Sequence, residues 1–229
     1  MYGGYMQGTT RSGKGPNDAA TDPHEVGLDT SLDFLNTFAM SKGSMVERLP
    51  TAEAAIQWMA DRGALDETDP VTLLTEVASD DTAAAATLAR VRRVRAALRE
   101  VADAVIDRRP ADRRSVATVN QALRCRSEFE LEPSSEGVRV NDRCAADPIS
   151  DALAHLAEPI VRTLAEGRPE RLHQCANPTC GWVFYDNSPT ARRRWCEMSS
   201  CGNNAKAARH RQRILMIDTR VTSESAAPN

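Results

Sequence analysis

Four of the six cysteines fall in two pairs of identical spacing, Cys175-x4-Cys180 and Cys196-x4-Cys201, with fifteen residues between the pairs. Thiolates so arranged suit a tetrahedral Zn2+ site. Each pair grips the ion from a tight knuckle, and closing the intervening loop completes four ligands. Four sulfurs leave no coordination position open for water, which points to one structural rather than catalytic ion. Two disulfides, unpaired core thiols or an iron–sulfur cluster are the competing readings of the pattern. Cys125 and Cys144 stand apart and read as isolated buried thiols.

The charge around these cysteines is as uneven as their spacing is regular. From 171 to 213 there are eight bases (Arg171, Arg192, Arg193, Arg194, Lys206, Arg209, Arg211, Arg213) and two acids, Asp186 and Glu197, a net +6. The whole chain of 229 residues carries 29 bases and 32 acids, net −3, so the remainder carries −9. An average of −3 argues against nucleic acid; a compact +6 module argues for phosphate contact, whose affinity comes from displaced counterions.

A helix is expected from about Cys201 through Met216, capped by Ser199 or Ser200. Asn203, Lys206, His210 and Arg213 share one side, Asn204 and Arg211 the next, and Ile214 and Leu215 close it with apolar contacts. Asparagine can read adenine in a major groove, while lysine and arginine take phosphate or guanine. The candidate duplex-DNA contacts are therefore Arg192, Arg193, Arg194, Asn203, Asn204, Lys206, Arg209, His210, Arg211 and Arg213. A face that docks an acidic protein, as in an adaptor, and one that binds structured RNA remain open alternatives.

These residues need elements to hold them. Trp182-Val183-Phe184-Tyr185 reads as a strand and Asp186-Asn187-Ser188-Pro189 as its turn, with the aromatics packing the module and its seam. Some forty residues are too few for an independent core, so metal ligation would be folding energy. Upstream, helices are expected near 28–38, 51–62, from Pro70, from Asp80 toward Asp107, over 111–123 and over 148–167, where Pro159 introduces a kink. Asp29 or Thr30 is the expected cap of the first helix. Phe129–Glu132 and Val138–Val140 alternate around a turn and read as a small hairpin.

The fold class is mainly α: a helical N-terminal domain at 24–167 with a small β-hairpin, and a treble-clef-like four-cysteine zinc finger at 171–217 that ends in a helix. Residues 1–23 and 218–229 read as loose tails.

The longest helix carries Leu88, Val91, Val94, Leu98, Val101 and Val105 as its apolar stripe, with Arg90, Arg92, Arg93, Arg95 and Arg99 on its flanks. A solvated charged face, a nucleic-acid surface and arginines for an acidic ligand all suit that run. Asn36 reads either as a buried amide satisfied by backbone or as a ligand contact. Asn36 and Arg99 are the candidates for a small-molecule pocket in a domain that senses an effector or forms a homodimer. Only four histidines occur, at 24, 155, 173 and 210, without catalytic spacing. There is no Gly-rich phosphate loop, no Gly-x-Ser-x-Gly elbow and no His-Glu-x-x-His, so no enzyme is expected. No apolar run reaches the roughly 20 residues that span a membrane, and none near the start resembles a signal peptide. The expectation is a cytoplasmic, nucleoid-associated protein.

Cys175…Cys180, Trp182–Ser188, Arg193-Arg194-Trp195-Cys196-x-Met198 and Cys201-Gly202-Asn203-Asn204-x-Lys206 together resemble the CGNR-type zinc finger. Leu28-Asp29 to Asn36-Thr37 resembles the start of the ABATE domain that precedes such fingers. The resemblance implies a bacterial, stress-linked, DNA-binding transcription regulator with an N-terminal ligand sensor. It implies Cys175, Cys180, Cys196 and Cys201 as zinc ligands, and Arg193, Arg194, Asn203 and Lys206 as the basic and polar face. Asn204 stands where the family carries arginine, and Pro189-Thr190-Ala191-Arg192 lacks part of the family's Arg/Asn pattern. Both departures bear on target preference.

Overall fold

A computed structural model of the chain describes residues 26–65, 69–126, 128–134, 137–143, 147–208 and 210–211. Along the body run α1 (Leu28–Asn36), β1 (Phe38–Ser41), β2 (Ser44–Glu47), α2 (Ala52–Asp61), α3 (Asp69–Ser79), α4 (Asp81–Ile106), α5 (Arg113–Leu123), β3 (Glu128–Ser134), β4 (Gly137–Arg143) and α6 (Pro148–Glu166). A 3-10 turn (Pro169–Arg171), β5 (Leu172–Gln174), β6 (Val183–Tyr185), a π turn (Met198–Gly202) and helical residues 203–208 form the finger. The class is mainly α with a small finger, as expected.

Helix starts follow side-chain chemistry. Thr51, Asp80, Asp112 and Asp147 each accept a hydrogen bond from a backbone N–H of the first turn that has no partner within the helix. The first helix departs from expectation: its cap is Gly27, with no side-chain bond, and Asp29 lies inside the first turn. The helix α6 continues through Pro159 to Glu166.

The core lies where α1, α2, α4 and α6 meet: Phe34, Leu35, Ile56, Met59, Val91, Leu98, Leu153, Leu156 and Ile160 are fully buried. Burial of this apolar face supplies most of the helical stability. Trp58 is half-buried, packed on Phe34 with ring centroids 5.7 Å apart.

Three results were not legible from periodicity. The hairpin β1–β2 lies between α1 and α2, antiparallel, with Phe38 opposite Glu47. Its two-residue turn is Lys42-Gly43, both at positive φ (53° and 85°), the geometry that matches strand twist. Second, Arg95 does not sit on a solvated flank of α4. It is 4% exposed and donates to both carboxylate oxygens of Glu47 and to Thr37 Oγ1. Third, the expected seam between finger and body is a shared core, for Leu172 and Val183 are part of the helical core itself. The expected hairpin is present as β3–β4, with Leu131 opposite Val140. Cys144 lies outside the described residues.

Candidate metal centre and nucleic-acid interface

The pairing of β5 with β6 sets up the first knuckle, with Leu172 opposite Tyr185. Just past β5, the Cys175 N–H donates to the Trp182 carbonyl at 2.8 Å, and the Cys180 N–H donates to Asn177 O at 2.9 Å. Asn177 Oδ1 accepts the N–H and hydroxyl of Thr179, fixing the loop that carries the first two sulfurs. The second knuckle is the π turn. At Gly202 a β-carbon would run into the exposed Met198 side chain and lie 3.3 Å from the Trp195 ring, so glycine lets these two side chains pack closely over the turn that carries Cys201. Ser199 and Ser200 do not cap a helix there. Ser200 Oγ donates to Glu197, while Ser199 contributes its carbonyl to the Asn203 amide.

All four sulfurs lie within 4.8 Å of one another. Cys180–Cys196 is 3.8 Å and Cys196–Cys201 is 3.7 Å. A tetrahedron with Zn–S bonds of about 2.3 Å has edges of about 3.8 Å, so the cage has the size of one zinc ion. It is also wired for thiolates. Asn177 Nδ2 donates to Cys201 Sγ at 3.4 Å, and the Cys196 N–H donates to Cys175 Sγ at 3.5 Å. Burial pushes the Cys180 thiol up to about 11 and raises Cys196 as well. Burial opposes ionisation of Cys201 too, but the Asn177 amide and the neighbouring thiols outweigh it and hold that thiol below its ordinary value. A dication supplies the charge this set needs.

One residue that sequence reasoning passed over organises the basic segment. Asp186, read as a turn residue, is fully buried. Its carboxylate accepts the Ser188 and Arg193 N–H groups, both at 2.8 Å, and the Ser188 bonds lead in holding it down to about 2. Arg171 closes the same loop by donating to the carbonyls of Asp186 and Ser188. The Asp-x-Ser spacing of an Asx turn was the available signal.

The basic candidates divide. Arg192, Arg194, Lys206, His210 and Arg211 are exposed. Arg194 lies over the Trp195 ring at 5.4 Å. Arg193 instead lies over the Phe184 ring at 4.7 Å and donates to the carbonyls of Trp195 (2.8 Å) and Cys196, so it braces the second knuckle. Asn203 donates to Ser199 O, and Asn204 opens onto the groove between finger and body. Arg209, Arg213 and the expected helix end at Met216 fall outside the described residues.

The two pocket candidates separate as well. Asn36 is 3% exposed; its amide donates to Val183 O and accepts from Val183 N–H, both at 2.9 Å. It joins the body to the finger and lines none of the described cavities. Arg99 lies on the wall of a cleft of about 690 Å³ with Phe38, Glu47 and Arg95, bonded to Asp103 at 2.9 Å.

The CGNR zinc finger model matches residues 171–214. The ABATE model, described as "Putative stress-induced transcription regulator", matches residues 28–167. This chain belongs to the ABATE family. No curated protein matches it. The two family models name a regulator and a zinc finger, and neither names a catalytic activity. In this ABATE protein the finger holds its four thiols at zinc geometry, and Asn36, the last residue of α1, fastens β6 to the body. No helix among the described residues is long and apolar enough to cross a membrane.

Proposed function

We propose that this ABATE protein is a zinc-stabilised transcription regulator whose finger contacts duplex DNA. The observation that carries the reading is the placement of charge: exposed Arg192, Arg194, Lys206, His210 and Arg211 stand in the segments before and after the last two cysteines of a closed four-cysteine cage, in a chain whose residues outside 171–213 carry −9. Zinc supplies no chemistry to a substrate at such a site; bound by four thiolates, it sets the shape of the finger. Arg192 and Arg194 hold phosphate, Arg193 shapes the second knuckle from which they project, and Asn204 and Lys206 face the bases or backbone beside it. Arg209 and Arg213 extend the same basic run in sequence.

The helical body is the regulatory part of this proposal. A small effector enters the cleft at Arg99, and two copies associate through the body. Asn36 serves there as the joint between body and finger rather than as an effector contact. The protein acts in the cytoplasm, on the nucleoid.

The test is a binding titration of zinc-loaded protein against a pool of random 20-base-pair duplexes at increasing salt, followed by sequencing of the retained DNA. Retention that weakens steeply with salt is expected. No affinity for any duplex at low salt, together with capture of an acidic protein surface, would replace this reading with the adaptor one.

A further inference from the structure

We propose that the β1–β2 hairpin of the helical body is a second DNA-contacting element, in which Lys42 and Arg48 hold the phosphate backbone beside the segment met by the finger. The inference rests on the DNA-binding reading of the finger and goes beyond it, because nothing in the finger's own sequence assigns a nucleic-acid role to the body.

Three observations carry it. The first is rigid attachment. The Gly43 N–H donates to Thr179 O at 3.1 Å, and the Gly181 N–H donates to Met40 O at 2.9 Å. These two bonds flank Cys180, so the hairpin is fixed to a corner of the metal cage. A β-carbon at Gly181 would lie 3.0 Å from Met40 N, which shows how close the backbones run.

The second is the groove this attachment creates, about 670 Å³, open to solvent at the seam. Lys42 and Arg48 form the hairpin's wall; Trp182, Arg193 and Asn204 come from the finger. The Arg48 guanidinium lies 6.0 Å over the Trp182 ring. Among the described residues no carboxylate pairs with Lys42 or Arg48. Two acids share the groove: Asp33 is bonded to Arg62 at 2.6 Å, and Glu197 accepts the Ser200 hydroxyl. The hairpin's positive charge therefore faces the same groove as Arg193 and Asn204 of the finger, across the domain seam.

The third is the residue at the tip. Lys42 sits at φ 53°, a conformation in which a hairpin turn ordinarily carries asparagine, aspartate or glycine. A lysine held there is a local cost that the turn itself does not require. It places an exposed ammonium at the outermost point of the hairpin, beside the finger.

The test replaces Lys42 by Gly and Arg48 by Gln together, keeping one zinc per chain and an unchanged melting temperature as proof of folding; Lys42→Gly suits the backbone of the turn. Binding of the 20-base-pair duplex pool is followed from 0.05 to 0.3 M salt. Loss of two phosphate contacts makes the slope of log K against log salt shallower by about 1.8, and weakens binding about 60-fold at 0.1 M. Lys42→Glu alone weakens binding too, and the conservative pair Lys42→Arg with Arg48→Lys retains it. Arg113→Gln with Arg114→Gln, the same loss of charge on exposed α5, leaves the slope unchanged. The proposal is overturned if the hairpin variants bind as the parent does, or if the α5 variant loses as much as they do. If the parent protein binds no duplex at any salt, the finger reading fails and this one with it.

Discussion

Replacing Asn36 by alanine should separate the finger from the body. Both Asn36 bonds go to the main chain of Val183, whose side chain is 1% exposed, so no other residue's mutation removes them as cleanly. In the variant the Val183 N–H and C=O lose their partners. A buried backbone group left unpaired costs about 1–3 kcal/mol, so two of them, softened by water entering the space vacated by the amide, amount to about 3 kcal/mol. For a chain of this size that is a fall of roughly 9 °C in melting temperature. Asn36→Asp keeps the acceptor for Val183 N–H but turns a carboxylate lone pair toward the Val183 carbonyl, and should not rescue stability at pH 7. The assay is urea unfolding of zinc-loaded protein by far-ultraviolet circular dichroism, which reports the helices of the body, with zinc release followed in parallel by a chromophoric chelator. In the parent the two curves coincide; in Asn36→Ala zinc release moves to lower urea than unfolding of the body. A loss under about 1 kcal/mol with coincident curves would show that the amide is dispensable and the seam argument wrong.

Three further outcomes follow from the same geometry. Without metal the Cys180 thiol is held up near 11, so zinc must displace protons at neutral pH, and its affinity should rise from pH 6 to pH 8; pH-independent competition with a chelator would contradict a thiolate cage. Arg193→Ala should lower the melting temperature and hasten zinc loss, because it strips bonds from the Trp195 and Cys196 carbonyls, whereas Arg192→Ala with Arg194→Ala should leave both unchanged and weaken only DNA binding. Burial opposes ionisation of Glu47, but Arg95 leads the groups that outweigh it and hold its carboxyl below 4.5, so the stability this adds is present above that pH and lost as pH falls through the lower folded value. Glu47→Gln should therefore be destabilised at pH 7, and its deficit against the parent, both measured without zinc, should shrink below about pH 4.5; a constant deficit would assign the effect to packing alone.

Several elements were legible in the chain because their causes are local. The spacings of Cys175, Cys180, Cys196 and Cys201 specify a four-thiol cage before any fold is known, since each knuckle closes over a few residues. Thr51 and Asp80 mark helix starts for the same reason: a capping bond reaches only two or three residues. The polarity of charge needs no coordinates either, because it is a sum over residues.

What the chain did not disclose depends on partners far away in sequence. Arg90 and Arg95 flank the apolar stripe of α4 alike, one on each side; only the arrival of Glu47 and Thr37 beside Arg95 makes it a buried residue. Arg193 reads as one of three equal arginines until Phe184 and the carbonyls beside Cys196 close around it. Asn36 lies 147 positions from Val183, and no periodicity connects them. The sequence alone therefore determined the metal chemistry, the helical class and the sign of the finger's charge, all of them short-range or additive properties. Only the tertiary structure decided which polar groups lose their water. Desolvation depends on what packs over a group, and here it decided between the two readings of Asn36 in favour of the amide satisfied by backbone, and made an overlooked hairpin a wall of the finger's groove.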